Sequence, residues 1–76
     1  MSGDGLRNTI KVERAIRNLT QADLAALAGV TRKSINAIET GRMVPSTLLG
    51  LKIARALGVS VDKIFTLDGD APPSTP

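Results

Sequence analysis

Arg32, Lys33, Ser34 and Asn36 lie within five consecutive residues of this 76-residue chain, and their chemistry is that of hydrogen-bond recognition. Arg and Lys bring charged donors, Ser a hydroxyl, and Asn an amide that both donates and accepts. Bond-making chemistry is poorly provided for. The chain has no His and no Cys, so it lacks the commonest general base, the thiol nucleophile and the usual zinc ligands. It has no glycine-rich phosphate loop and no pair of carboxylates placed for acid–base work. Asp23 reads as a helix-end charge, while Asp62, Asp68 and Asp70 read as solvated acids that nothing gathers into a metal site. Neither a metal nor a cofactor is expected, and an enzyme is the poorest reading of these residues.

Composition narrows the partner. Phe65 is the sole aromatic residue, so there is no platform on which single-stranded bases could stack. No apolar run approaches the roughly 18 residues of a membrane span, and the opening MSGDGLRN has neither the charged start nor the apolar stretch of a signal peptide. With no cysteine to form disulfides, a reducing cytoplasm is the expected setting. Net charge is +3, unevenly placed: residues 1–60 hold nine Lys/Arg against four Asp/Glu, and residues 61–76 hold Lys63 against three Asp. A basic body with an acidic end suits a polyanion on one side, although such a balance also describes an ordinary solvated surface.

The elements that must position these side chains are helical. A flexible start is expected over residues 1–5 and a disordered tail over 69–76, where three prolines remove donors and fix φ. Between them lies one domain, residues 6–68, small enough that oligomerisation would help its stability. The first helix is predicted over Thr9–Arg17, with Asn18 free to take the left-handed conformation that ends helices. Its apolar residues define no clean face, and Glu13 and Arg17 are spaced for a weak surface pair. Thr20 caps a second helix running through Ala28, with Asp23 near its positive end. Gly29 turns the chain, Thr31 caps a third helix over Arg32–Thr40, and Gly41 stops it. Pro45-Ser46 announces a fourth, Thr47–Leu57, on which Leu49, Ile53 and Leu57 form an i, i+4, i+8 stripe. Ser60 caps a short fifth, Val61–Ile64. The alternating Phe65-Thr66-Leu67 suits a short strand, for which residues near Leu6–Asn8 are the candidate antiparallel partner. The expected fold is all-α, five helices around one aliphatic core.

The informative stretch is TQADLAALAGVTRKSINAIETG, residues 20–41. Two helices crossing steeply over a short turn need a small residue where they approach, supplied by Ala25, and a residue free to adopt φ > 0, supplied by Gly29. Val30 plugs the elbow, and Ile35 and Ile38 hold the third helix against the second. Arg32, Lys33, Ser34, Asn36 and Ala37 are left outside, on the face that a helix-turn-helix presents to DNA. Taken alone, Arg32 and Lys33 would be ordinary solvated cations, as Lys52 and Arg55 are expected to be.

This segment resembles the phage-repressor (Cro/Xre, lambda repressor-like) family of helix-turn-helix regulators. The resemblance is carried by Thr20-Gln21, Leu24-Ala25, Gly29-Val30, Ile35, Ile38-Glu39 and Gly41. It extends to Arg14, to Pro45-Ser46 and to the run from Lys52 to Phe65, covering residues 8–67. It implies that Arg32, Lys33, Asn36 and Ala37 face base edges, that Gln21, Ser34 and Arg42 meet phosphates, and that the Thr40 backbone amide does so too. It also implies that Arg14 and Glu39 form a pair tying the first helix to the third. Arg or Lys satisfies guanine O6 and N7, Asn pairs with adenine N6 and N7, and Ala packs on a thymine methyl. Two departures matter. Several relatives carry Gln at the positions of Arg32 or Lys33, so their base preference does not transfer, and Glu13 stands where many have an aliphatic residue.

One recognition helix covers too few base pairs for specificity in a genome. The resemblance implies a symmetric dimer on a palindromic operator, its half-sites one helical turn apart, about 34 Å. Val61, Ile64, Phe65 and Leu67 are the apolar residues left for a dimer interface, with Leu48 and Leu51 as further candidates. The expected function is transcriptional regulation by double-stranded DNA binding: a dimer over a promoter would most simply repress, and the sequence does not choose between repression and activation. The rival is a protein-interaction module, such as the antitoxin of a toxin–antitoxin pair that also represses its own operon.

Overall fold

Six aliphatic side chains, Ile10, Leu24, Ile35, Ile38, Ile53 and Ile64, are closed off from water, and they come from five different helices. Burying each contributes roughly 1.5–3 kcal/mol relative to leaving it exposed. The computed structural model describes residues 5–67. The flexible start and the disordered tail expected from the sequence fall outside the described residues, Gly5 excepted. The elements are β1 (Leu6–Asn8), α1 (Ile10–Ile16), α2 (Gln21–Ala28), α3 (Arg32–Glu39), α4 (Thr47–Leu57), α5 (Val61–Ile64) and β2 (Phe65–Leu67). The fold is five helices with a two-stranded antiparallel sheet in which Leu6 faces Leu67, Arg7 faces Thr66 and Asn8 faces Phe65. That sheet ties the two ends of the described chain together, and the Thr9 N–H extends the link to the Ile64 carbonyl at 3.0 Å.

Local signals set most boundaries. At α2, Thr20 and Asp23 form a full capping box: the Thr20 hydroxyl accepts from the Asp23 N–H, and the Asp23 carboxylate accepts from the Thr20 N–H, each at 3.0 Å. Gly29 then closes α2 at φ 72°, a conformation that a side chain would strain. Thr31 and Ser46 accept from the N–H groups of Ser34 and Leu49, each at 3.1 Å, to start α3 and α4. Ala25 and Ala28 are buried where α2 packs on α3 and α4, so the small residues permit the close approach that the sequence required.

Several expectations are corrected. The first helix is shorter than Thr9–Arg17: Asn8, not Thr9, accepts from its first N–H, that of Ile10, at 3.2 Å. Asn18 does take the left-handed conformation, at φ 56°. Glu13 is not a surface acid. It is buried while Val12 and Ile16 are exposed, so α1 turns a carboxylate inward where an aliphatic side chain would be expected. Arg17 answers it at 2.8 Å from the helix flank. α3 ends at Glu39, with Thr40 as its C-cap. Ser60 makes no side-chain cap on α5. Leu49 is only half-buried, so the inward stripe of α4 is completed by Gly50 and Ala54 beside Ile53 and Leu57. Ile64 belongs to the core, at 1% exposure, and has no surface to offer a second copy.

Candidate nucleic-acid interface

Helix α3 has two opposed faces. Ile35 and Ile38, one turn apart, point into the core, while Arg32, Lys33 and Asn36 are exposed and line one open concavity. Ala37 and Ser34 lie half-buried at its margins. The inward isoleucines fix the rotation of the helix, and that rotation turns the polar trio outward.

The far end of α3 is anchored by a buried ion pair. Arg14 of α1 grips Glu39 with two parallel hydrogen bonds, Nε to Oε2 at 2.7 Å and Nη2 to Oε1 at 3.0 Å. Its remaining nitrogen, Nη1, donates to the Leu19 carbonyl at 2.9 Å. The side chains are 14% and 6% exposed. The Glu39 hydrogen bond, reinforced by its charge, holds the Arg14 pKa above the ordinary arginine value despite the opposing effect of burial. Such a bidentate pair fixes geometry more than it adds net stability, so its role is to lock α3 against α1. It also means that the single acid of α3 is neutralised and does not confront a polyanion.

A second anchor was not legible in the sequence. Asn8 donates from Nδ2 to the Ile38 carbonyl at 3.0 Å while its Oδ1 accepts from the Ile10 N–H. One side chain thus starts α1 and satisfies a C-terminal carbonyl of α3, thirty residues away. The spacing of an Asn two residues before a helix signals the first contact, but nothing local signals the second.

The residues assigned to phosphates fare differently. Arg42 is exposed just beyond Gly41. The Ser34 hydroxyl accepts from Thr31 at 2.9 Å, which leaves its own proton to donate. The Thr40 backbone amide is a correction: it already donates to the Asn36 carbonyl at 3.0 Å, and the Thr40 hydroxyl donates to the same carbonyl at 2.9 Å. The chain therefore offers no free Thr40 backbone donor for a phosphate. Gln21 turns inward. Its Nε2 donates to Asn36 Oδ1 at 3.1 Å and to Glu39 Oε1 at 3.2 Å, so both amide hydrogens are engaged. The Gln21 backbone N–H remains, because the first amides of a helix have no intrahelical acceptor. Asp23, at the same end of α2, has its carboxyl held below the usual carboxylate range, chiefly by the Thr20 backbone N–H and next by the Thr20 side chain.

Two helices crossing through a glycine turn, with a polar outer face on the second and locks at its end, define a helix-turn-helix recognition domain. The helix-turn-helix family pattern matches residues 10–64, and the chain belongs to that family, in its Cro/C1-type (Xre-like) branch of transcriptional regulators. It is 46% identical over 65 residues to an uncharacterised HTH-type transcriptional regulator of Methanocaldococcus jannaschii, covering 86% of this chain and 98% of that protein. It is 40% identical over 63 residues to a similarly described regulator of Bacillus subtilis, covering 83% and 96%. Among solved structures it is similar to the restriction-modification controller protein C.AhdI from Aeromonas hydrophila, with TM-score 0.69 and 30% identity, over 71% of this chain and 82% of that one. The clp gene regulator ClgR from C. glutamicum matches with TM-score 0.65 and 30% identity, over 71% and 70%.

Proposed function

We propose that the chain is a cytoplasmic repressor that binds a palindromic DNA operator as a symmetric dimer, with α3 of each copy in the major groove. The observation that carries this reading is the outward trio Arg32, Lys33 and Asn36 on a helix held rigid by Ile35, Ile38 and the Arg14–Glu39 pair. Base edges meet that trio and Ala37. Phosphates meet Arg42, the Ser34 hydroxyl and the N-terminal amide of α2 at Gln21. The names of the relatives, which are transcriptional regulators, support the same direction.

Dimerisation rests on the apolar surface left on α4 and β2. Leu48, Leu51 and Leu67 are more than half exposed, and a groove beside them is lined by Leu6, Pro45, Gly50, Leu51, Val61 and Phe65. The occupant is a second copy, because a lone recognition helix reads too few base pairs to be selective and two copies read half-sites about 34 Å apart. No helix of the described residues is long and apolar enough to cross a membrane.

Selection from a pool of random duplexes tests this. A palindromic consensus is the expected result. No enrichment at moderate salt would overturn the reading and favour a protein-interaction module such as an antitoxin. Sedimentation of a monomer, both free at micromolar concentration and on DNA, would remove the dimer.

A further inference from the structure

Donor and acceptor polarity runs through four side chains from the core to the outer face of α3. Both carboxylate oxygens of Glu39 accept from Arg14, at 2.7 and 3.0 Å, and a carboxylate gripped in this way offers a neighbour acceptors only. The Gln21 group that faces it at 3.2 Å must therefore be the amide nitrogen. That nitrogen carries a second hydrogen, directed to Asn36 at 3.1 Å, so the Asn36 group facing Gln21 must be its carbonyl oxygen. The amide nitrogen of Asn36 is left for the exterior. An isolated Asn turns its amide either way at little cost and so presents donor or acceptor. Here the choice is made by a buried carboxylate two side chains away.

We propose that the Arg14–Glu39 pair, acting through Gln21, fixes Asn36 as a hydrogen-bond donor, so that Asn36 favours guanine over adenine at the base pair it faces. The proposal rests on the DNA-binding reading above. The bidentate pairing of Asn with adenine needs Oδ1 to accept from N6 while Nδ2 donates to N7. With Oδ1 drawn toward Gln21, that pairing is disfavoured. Guanine presents N7 and O6, both acceptors, and suits an amide whose NH2 is the group turned outward. Arg32 and Lys33 only donate, so the groups that the exposed trio of α3 turns outward ask for acceptors. Gln21 becomes a positioning residue for base choice: its side-chain amide hydrogens go to Asn36 and Glu39, and its backbone N–H is left for the duplex.

The test compares duplex selections with the full chain and three variants, each checked for an unchanged thermal transition. Asn36→Ala identifies the base pair read by Asn36, as the one position in each half-site that loses its preference. At that pair the unmodified chain is expected to favour guanine over adenine by about tenfold, within the range of one base contact. Gln21→Met, which keeps length but removes the donors, is expected to shrink that ratio to about twofold or less while other positions hold. Asn36→Asp presents only acceptors and is expected to move the preference to cytosine, whose N4 amino group donates. A uniform loss of affinity in Gln21→Met, with the guanine preference intact, would overturn the proposal, since that is the behaviour of a phosphate contact. So would an adenine preference in the unmodified chain, or an Asn36→Ala variant that changes no position. Failure of the unmodified chain to select any sequence is a separate result: it removes the DNA-binding reading itself.

Discussion

Replacing Arg14 with Met should destabilise the domain far more than a surface charge would. The substitution removes three hydrogen bonds, two to Glu39 and one to the Leu19 carbonyl. Among the described residues it leaves Glu39, 6% exposed, with the Gln21 amide at 3.2 Å as its remaining side-chain partner. Removing one partner of a buried pair costs about 3–5 kcal/mol. The Arg14 side chain retains 14% exposure and Gln21 remains, so the low end applies, about 3 kcal/mol. A 76-residue chain has about 4–11 kcal/mol of total stability, so much of it would go, and Tm would fall by about 12–24 °C. The paired variant Arg14→Met/Glu39→Leu should recover most of the loss, because apolar replacement of both partners is close to neutral. Urea unfolding followed by circular dichroism measures all three differences. Glu39 raises the Arg14 pKa above its ordinary value. A raised basic group contributes stability fully below its unfolded pKa, so the arginine does not titrate in the working range and its loss should be equal at about pH 6 and pH 8. A loss under about 1 kcal/mol, the worth of an exposed pair, would refute the reasoning. So would a double variant no more stable than the single one.

Lys33→Ala should weaken binding to the selected duplex by about 1–3 kcal/mol, roughly five- to 150-fold, with a much smaller effect on random DNA. Arg42→Ala should weaken both about equally and reduce the salt slope by about one; fluorescence anisotropy across a salt series separates the two behaviours. Asp23→Asn should lower Tm at neutral pH, and the gap should close in acid. The folded-state pKa of Asp23 is depressed, so its contribution is present above the unfolded value near 4 and is lost as pH falls through the folded one. A gap of equal size at about pH 7 and pH 2.5 would contradict that assignment. Gly29→Ala should cost about 1–2 kcal/mol from backbone strain alone, because φ is 72° yet an added Cβ meets nothing within 4 Å. Gly29→Asn should cost less, since Asn tolerates that conformation, and urea midpoints give the comparison.

The helix-turn-helix was legible because its determinants are local. Thr20, Thr31 and Ser46 each act on an N–H three residues ahead, and Gly29, Gly41 and Gly58 take positive φ immediately after helices or their caps. The aliphatic spacing of Ile35 and Ile38 sets which way α3 turns, and with it the exposure of Arg32, Lys33 and Asn36. The pairing of Phe65–Leu67 with Leu6–Asn8 was legible too, from alternation at one end and the need of a short strand for a partner. α1 was less legible, because its apolar residues define no clean face, and the fold leaves Val12 and Ile16 exposed while Glu13 goes inward.

By itself, then, the sequence determined the five helices, the glycine turn and the polar character of the reading helix, since each depends on residues within a turn or two of one another. Tertiary structure alone decided that Ile64 is core rather than interface, that the Thr40 amide is already taken, and that Asn8 bonds Ile38 across thirty residues. It also decided which way the amides of Gln21 and Asn36 point. Those outcomes depend on which donor meets which acceptor after the helices pack. A side-chain amide carries both kinds of group, and its chemistry toward a partner stays open until a neighbour that can only accept, here Glu39, is brought against it.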